Sequence, residues 1–304
     1  MKNISRPYIA LTLTCIIWGT TYLVNKVGVG LIPPFLFATV RHSVAGICLL
    51  FYIFAIRKEK FPDLKYLAFQ AFLGFLLLSI GNGIGVLGLK YIDSGLSAIL
   101  AATSPILISF LTHIYRPSDK IGPLAWIGIL LGFSGLFIIC ADKIKLPFEL
   151  DNNAIGILFT LISIASWAIG SVISKSKHYH SSPLMAAGFQ MIFASIPLGI
   201  YCGINEDISQ FLLTPKIIGI WMYLIILGSL VAYTAYIYAL KHLPAPIVSI
   251  QSYINPIIAM QLGVLFLNES LSAQMILGSI FTLAGVFMIN YFEYKRKARI
   301  NSIK

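Results

Sequence analysis

Charge is what this chain has least of. Only 11% of its 304 residues are Asp, Glu, Lys or Arg, against about 25% in a soluble domain. No Asp or Glu stands well inside any long apolar run, and Asp93 and Glu269 fall at the ends of theirs. That argues against a buried carboxylate for which proton and substrate compete. Cysteine is scarce too: Cys15, Cys48, Cys140 and Cys202 lie in or at the ends of apolar runs without paired spacing. Neither a disulfide nor a metal site is expected, and nothing calls for a cofactor. The longest loops run to about a dozen residues, which leaves no soluble domain for a receptor-like protein. A membrane-embedded enzyme should gather a nucleophile–base pair or a metal cluster. The chain has no His-Glu-x-x-His, no Gly-x-Ser-x-Gly and no cysteine cluster.

What is there is apolar. Hydrophobic residues make up 58% of the chain, and its mean hydropathy is +0.87. Ten stretches, near 8–26, 34–56, 66–89, 94–115, 121–140, 154–174, 183–204, 217–240, 244–267 and 272–292, approach the roughly 20 residues that span a bilayer as a helix. They are continuously apolar rather than alternating, which excludes barrel strands. The expected fold is an all-α polytopic membrane protein of ten transmembrane helices, with the lipid bilayer as its partner.

A net charge of +11 raises the question of nucleic acid, and the placement of the charge answers it. With the N-terminus in the cytoplasm, sixteen of the 22 Lys/Arg fall in cytoplasmic segments. Five (Lys26, Lys90, Lys143, Lys145 and Lys216) fall outside, and Arg41 lies within a span. This is the positive-inside pattern. It implies both termini in the cytoplasm, a multi-pass protein of the plasma or inner membrane, and no nucleic-acid partner. The tail at 293–304, with KRKAR at 295–299, reads as a topology anchor. The first run follows Lys2 and Arg6 as in a signal peptide, but it extends through Tyr22 without an evident cleavage site, so a retained helix is expected.

The two halves resemble each other. At an offset of 149, Trp18, Lys26, Pro34 and Arg41 fall on Trp167, Lys175, Pro183 and Gln190. At 151, Leu89-Lys90 falls on Leu240-Lys241, Asn82 on Tyr233, and Ser104-Pro105 on Asn255-Pro256. At 150, Gly128 and Gly135 fall on Gly278 and Gly285. Each unit holds five helices, an odd number, so the second enters the membrane in the opposite sense. Inverted repeats of this kind are typical of secondary transporters, with substrate near the midplane between the halves. The expected domains are a first repeat at 8–140, an external linker at 141–153, a second repeat at 154–292 and the cytoplasmic tail.

The segments IIWGTTYLVNKVG (16–28), PPFLFATVRHSVAG (33–46), LLLSIGNGIGVLGLKY (76–91), SWAIGSVISK (166–175), MAAGFQM (185–191), LGSLVAYTAYIYALKHL (227–243) and YINPIIAMQLGVLFLNESL (253–271) carry a resemblance across nearly the whole chain. It resembles the EamA-type transporters of the drug/metabolite transporter superfamily, most of all the YedA-like exporters. The resemblance implies two five-helix EamA repeats and transport of a small organic molecule: an amino acid, an organic acid or a drug-like compound. One departure is that Pro117-Ser118-Asp119 replaces the family's acidic residue after the fourth helix, where the second repeat keeps Asn268-Glu269-Ser270.

Polar groups inside apolar helices mark the candidate site. Trp18, Thr21, Tyr22 and Asn25 recur at i, i+3, i+4 and i+7, one helical face. Trp167, Gly170, Ser171 and Ser174 form the matching face of helix 6. Such faces turn inward, either to line a cavity or to join helices. Arg41 lies seven residues past Pro34, about 10 Å along its helix. It is read either as a contact for a substrate carboxylate or electrostatic gate, or as a bond to the facing repeat. Its neighbour His42 points about 100° away, so the two are not expected to share a face. Asn82 within Gly81-Asn82-Gly83, Gln190, Tyr233, Tyr236, and Gln251 with Asn255 complete the candidates for substrate binding. Pro105 and Pro256 each free a carbonyl one turn earlier and are the candidate hinges.

These readings combine as alternating access through a central cavity, exporting a small organic metabolite. An importer, or a sugar or nucleotide-sugar carrier, is the alternative within transport; the latter would bring more basic residues to the cavity than Arg41 alone. Facilitated diffusion or exchange is expected, with His42 or His113 as the route to proton coupling. Nothing in the sequence assigns an oligomeric state.

Overall fold

A computed structural model describes residues 5–115, 122–141, 151–174, 182–209, 211–243, 248 and 251–303. Residues 142–150 of the linker, the Pro117-Ser118-Asp119 departure and Lys175 with Lys177 lie outside them, as do most residues of 244–250. Among the described residues every regular element is helical. In chain order they are α1 (Ser5–Val29), α2 (Pro34–Ile56), α3 (Leu64–Gly88), α4 (Ser94–Tyr115), α5 (Pro123–Ala141), α6 (Asn152–Ser174), α7 (Pro183–Asn205), α8 (Pro215–His242), α9 (Gln251–Leu267) and α10 (Ala273–Ile303).

Local chemistry sets the starts. Proline opens α2, α5, α7 and α8, where its missing N–H costs nothing. Asp63, Ser182 and Thr214 cap α3, α7 and α8 by accepting from Tyr66, Met185 and Ile217 N–H. α10 does not stop at the end of its apolar run but continues through the basic segment to Ile303. No Gly or Pro follows Gly285, and Lys, Arg and Ala are good helix formers.

Among the described residues, seven helices are long and apolar enough to cross a membrane: Arg6–Val29, Pro34–Ile56, Leu64–Gly88, Ser94–Tyr115, Asn152–Ser174, Pro183–Asn205 and Pro215–His242. Pro123–Ile139, Ile254–Leu267 and Ala273–Ile289 are shorter apolar helices. Large apolar side chains such as Leu130, Phe137, Leu265 and Phe287 face outward, as they do against lipid rather than water.

The internal duplication is visible in the backbone. α3 is π-helical over Phe75–Ile84 and α8 over Leu224–Tyr233, the same ten residues at an offset of 149. Two matching pairs, α2 with α7 and α5 with α10, pack antiparallel. Gly128 of α5 lies on Gly285 of α10, and Gly135 on Gly278. Gly46 of α2 lies on Ile192 of α7, and Gly188 on Leu49 and Leu50. A Cβ at Gly128 would stand 2.7 Å from the Gly285 carbonyl, so only glycine permits that approach. α4 is interrupted at Ala102–Thr103, just before Pro105. Pro256 sits inside α9.

Candidate functional site

A cavity of about 170 Å³ lies among α1, α2, α3, α4, α6, α7, α8 and α9. Nine of the twelve candidate binding residues line it: Trp18, Thr21, Tyr22, Arg41, Asn82, Trp167, Tyr233, Gln251 and Asn255. So does Pro256, whereas Pro105 does not. Proline at 105 or 256 leaves the carbonyl four residues back, Ala101 or Ser252, without its helical donor. Both of those residues are on the cavity wall.

Ser171, Gln190 and Tyr236 stand behind the wall. Tyr236 is buried, with its hydroxyl 3.3 Å from Ser171 Oγ. Gln190 accepts from the hydroxyl of Tyr233, which does face the cavity, and donates to Gln70 Oε1 at 2.7 Å. On α6 the wall is formed by Thr160, Ser163, Ile164 and Trp167, an earlier stretch of the helix than the face running from Trp167 to Ser174. The reason is packing. A Cβ on Gly170 would stand 2.8 Å from Leu77, so that face is closed against α3.

Trp18 and Trp167, equivalent by the repeat, meet edge to face with centroids 5.7 Å apart. Tyr236 lies 5.1 Å from Trp18 and 5.5 Å from Trp167, and Tyr233 completes the group. Trp18, Trp167 and Tyr233 line the cavity, and Tyr236 backs them. The Trp18 indole donates to the Gly228 carbonyl at 3.2 Å, which fixes the ring plane.

Arg41 and His42 both line the cavity, although they do not share a helix face. α2 stands between α3 and α8, so 100° of divergence sends each residue to a different wall. Arg41 Nε donates to Ser229 Oγ of α8 at 2.8 Å, and its guanidinium lies over the bare backbone of Gly228. His42 Nε2 donates to Asn82 Oδ1 of α3 at 3.0 Å. Asn255 donates to the carbonyls of Cys15 at 2.9 Å and Gln251 at 3.2 Å.

Among the described residues, four buried atoms of residues lining this cavity have no partner: Arg41 Nη1, His42 Nδ1, Asn25 Oδ1 and Gln251 Oε1. Arg41 is 5% exposed and has no carboxylate within 4 Å among the described residues. A buried donor left unmade is costly, more so when charged. The cavity therefore offers one cationic donor and amide oxygens beside aromatic faces. Among the described residues no group of three His, Cys, Asp or Glu stands together.

Sequence reading passed over Ser97, Thr160, Ser163, Ser229 and Ser252, which line the cavity, and Gln70 behind it. A small hydroxyl in a membrane helix is too common to stand out. Gln70 carried a usable signal, since a long polar side chain within an apolar run demands a buried partner.

Apolar helices around a cavity that gathers polar and aromatic side chains define a multi-pass helical membrane protein with the build of a transporter. The EamA-like transporter family matches residues 5–141 and again 154–291, and the chain belongs to that family. It is similar to the inner membrane transporter YedA of Escherichia coli K12, with 32% identity over 266 residues that cover 86% of this chain and 83% of that one. It is similar also to the transporter YoaV of Bacillus subtilis 168, 26% identical and covering 98% and 99% of the two chains, and to a transporter of Archaeoglobus fulgidus, 25% identical and covering 93% and 98%. A crystal structure at 16% identity superposes with a TM-score of 0.65 over 96% of this chain and 98% of the other, a likeness of fold. The protein is a membrane transporter, and its multi-pass helices place it in the cell membrane.

Proposed function

We propose that the chain is a secondary carrier that exports a small, carboxylate-bearing organic metabolite by alternating access through this cavity. The observation that carries the reading is Arg41, a buried guanidinium on the cavity wall with Nη1 unpaired and no acid beside it. A guanidinium edge suits a carboxylate. The unpartnered amide oxygens of Asn25 and Gln251 suit a donor on the same solute, and the Trp–Tyr group suits a flat or apolar body.

Alternating access is supported by where the cavity sits. Trp18 and Trp167 mark the pseudo-symmetry axis. From them the wall follows the C-terminal half of α1 (Thr21, Tyr22, Asn25) and the N-terminal half of α6 (Thr160, Ser163, Ile164). The two helices run antiparallel, so both halves lie toward the same face. A cavity displaced to one side of an inverted repeat is what one of two alternating states looks like. The export direction follows the YedA-like sequence pattern.

Uptake into liposomes of labelled amino acids and small organic acids, with and without a pH gradient, tests the reading. Uptake of one carboxylate class that collapses in Arg41→Ala and needs no gradient is the expected result. Transport restricted to uncharged solutes and indifferent to Arg41→Ala would overturn the substrate assignment. A second reading, proton coupling, is favoured by His42, which lines the cavity and whose buried Nδ1 has no partner among the described residues. It requires gradient-driven uptake that His42→Ala abolishes.

A further inference from the structure

The first half of α4 is held by a group from the other repeat. Asp93 occupies the N-cap of Ser94–Ala101, yet its side chain makes no cap bond. The carboxylate of Glu269, beyond the end of α9, takes that place. It accepts from Ser94 N–H at 2.8 Å, from Ser94 Oγ at 2.8 and 2.9 Å, and from Gly95 N–H at 3.1 Å. Asn268 turns the chain through a left-handed residue (φ 53°), and Glu269 N–H bonds back to the Gly263 carbonyl at 3.1 Å, so the carboxylate is aimed by a rigid C-cap. Lys26, near the end of α1, reaches the same place. Its Nζ donates to the carbonyls of Leu89 and Ile92 at 2.8 and 2.7 Å, and the charges of Asp93 and Glu269 both act on it.

This cluster stands on the rim of the cavity. Leu89, whose carbonyl holds Lys26, lines it, and so does Asn25 beside Lys26. The capped segment turns Ser97, Ala98 and Ala101 to the same cavity. Its other end is broken at Ala102–Thr103, ahead of Pro105. Ser94–Ala101 is thus a two-turn rod, fastened at one end by a carboxylate of repeat two and jointed at the other.

A similar cap elsewhere lacks the joint. Glu206 accepts from Phe35 and Leu36 N–H at 2.8 and 2.7 Å, but the helix it caps runs unbroken from Pro34 to Ile56. That cap clamps a whole helix. Glu269 fastens a segment that has a hinge.

We propose that Ser94–Ala101 is the gate at this rim of the cavity, and that Glu269, supported by Lys26, is the inter-repeat latch that holds it shut. Charge-assisted bonds to backbone N–H are strong and directional, and all of them leave together when Glu269 withdraws. The cavity exchanges with that face of the membrane when the latch releases. This goes beyond the carrier reading, and its test needs no substrate.

A thiol placed by Ser97→Cys reports the gate through its reaction with a membrane-impermeant maleimide, read at that position by mass spectrometry. Glu269→Gln and Lys26→Met are each expected to raise its labelling rate about tenfold, a modest population shift toward the open state. Hydrogen exchange in Ser94–Ala101 should rise alongside, while exchange in α7 stays unchanged. Unchanged labelling and exchange in a Glu269→Gln protein that keeps its α7 protection would overturn the proposal. A variant that loses α7 protection has misfolded, and the converse experiment then decides. A Cβ on Gly95 would stand 3.5 Å from the Met260 Cα, within reach of a disulfide. In the protein carrying Gly95→Cys and Met260→Cys with Ser97→Cys, oxidation should suppress labelling at position 97 and reductant should restore it. Labelling at an undiminished rate in the cross-linked protein would equally overturn the gate.

Discussion

Arg41 and Gln190 occupy the same place in the two repeats, 149 residues apart, and do opposite things. Gln190 is bonded at both ends, to Gln70 and to Tyr233, and lies off the cavity. Arg41 lines the cavity, is bonded at Nε to Ser229, and has no partner for its buried Nη1 among the described residues. Duplication supplied one backbone position twice. One copy became a packed polar bridge among α3, α7 and α8, and the other an unpaired charge. An inverted repeat can therefore keep its symmetry in backbone and glycine packing while the charge of its site sits in one half.

The comparison breaks most forcefully if the packed copy is made to look like the open one. Gln190→Arg puts a second guanidinium where no cavity receives it and no acid pairs it. An unpaired buried charge costs about 3–5 kcal/mol. The expected outcome is a large fall in the thermal unfolding midpoint in detergent, or failure to accumulate. An unchanged midpoint would show that the position has room the structure does not assign to it.

The reverse exchange tests function rather than fold. Arg41→Gln makes the open copy resemble the packed one. On the carrier reading, uptake should fall about 100-fold, equivalent to about 2.7 kcal/mol. The unfolding midpoint should hold or rise, because the residue removed is an unpaired charge. A variant that unfolds early while its folded fraction transports normally would assign Arg41 to structure instead.

This asymmetry also marks how far the sequence is legible. The constant offset of Trp18, Pro34 and Arg41 from their partners exposed the duplication, because packing on an antiparallel copy requires matched helix starts and matched glycines. The face of α1 bearing Trp18, Thr21, Tyr22 and Asn25 was readable from its helical spacing. The depth of a residue was not. Spacing says which residues share a face, but not which stretch of that face meets a neighbouring helix, so Ser171 and Tyr236 fell behind the wall and Thr160 and Ser163 onto it. The caps of Glu269 on Ser94 and Glu206 on Phe35 join residues more than 170 apart, and no local pattern announces them. The π-helical stretches in α3 and α8 have no sequence sign either, although both end at cavity-side positions, Ile84 beside Gly85 and Tyr233 itself.

The bridge can be taken apart in steps. Gln190→Leu strands the Tyr233 hydroxyl and the Gln70 amide in a buried site, at about 1–3 kcal/mol. Adding Gln70→Leu removes one of the stranded groups. The pair should therefore cost less than the sum of the two single changes, measured as a double-mutant cycle on unfolding. Additive losses would mean that Gln70 and Gln190 do not depend on each other.

The smallest effect should come from Ser229, and it sharpens the comparison most finely. Its hydroxyl accepts a hydrogen bond from Arg41 Nε at 2.8 Å. It fixes which edge of the fork faces the cavity. Ser229→Ala leaves the charge in place and frees its orientation, a loss of about 1 kcal/mol for one hydrogen bond. Uptake should then need about fivefold more solute for half-saturation, with the maximal rate nearly kept, because the charge still attracts the carboxylate but no longer presents a fixed edge. If Ser229→Ala matched Arg41→Gln in severity, orientation rather than charge would be the working property of the open copy. If it did nothing, the guanidinium would be held by the Gly228 backbone and α2 alone, and the hydroxyl would belong to helix packing.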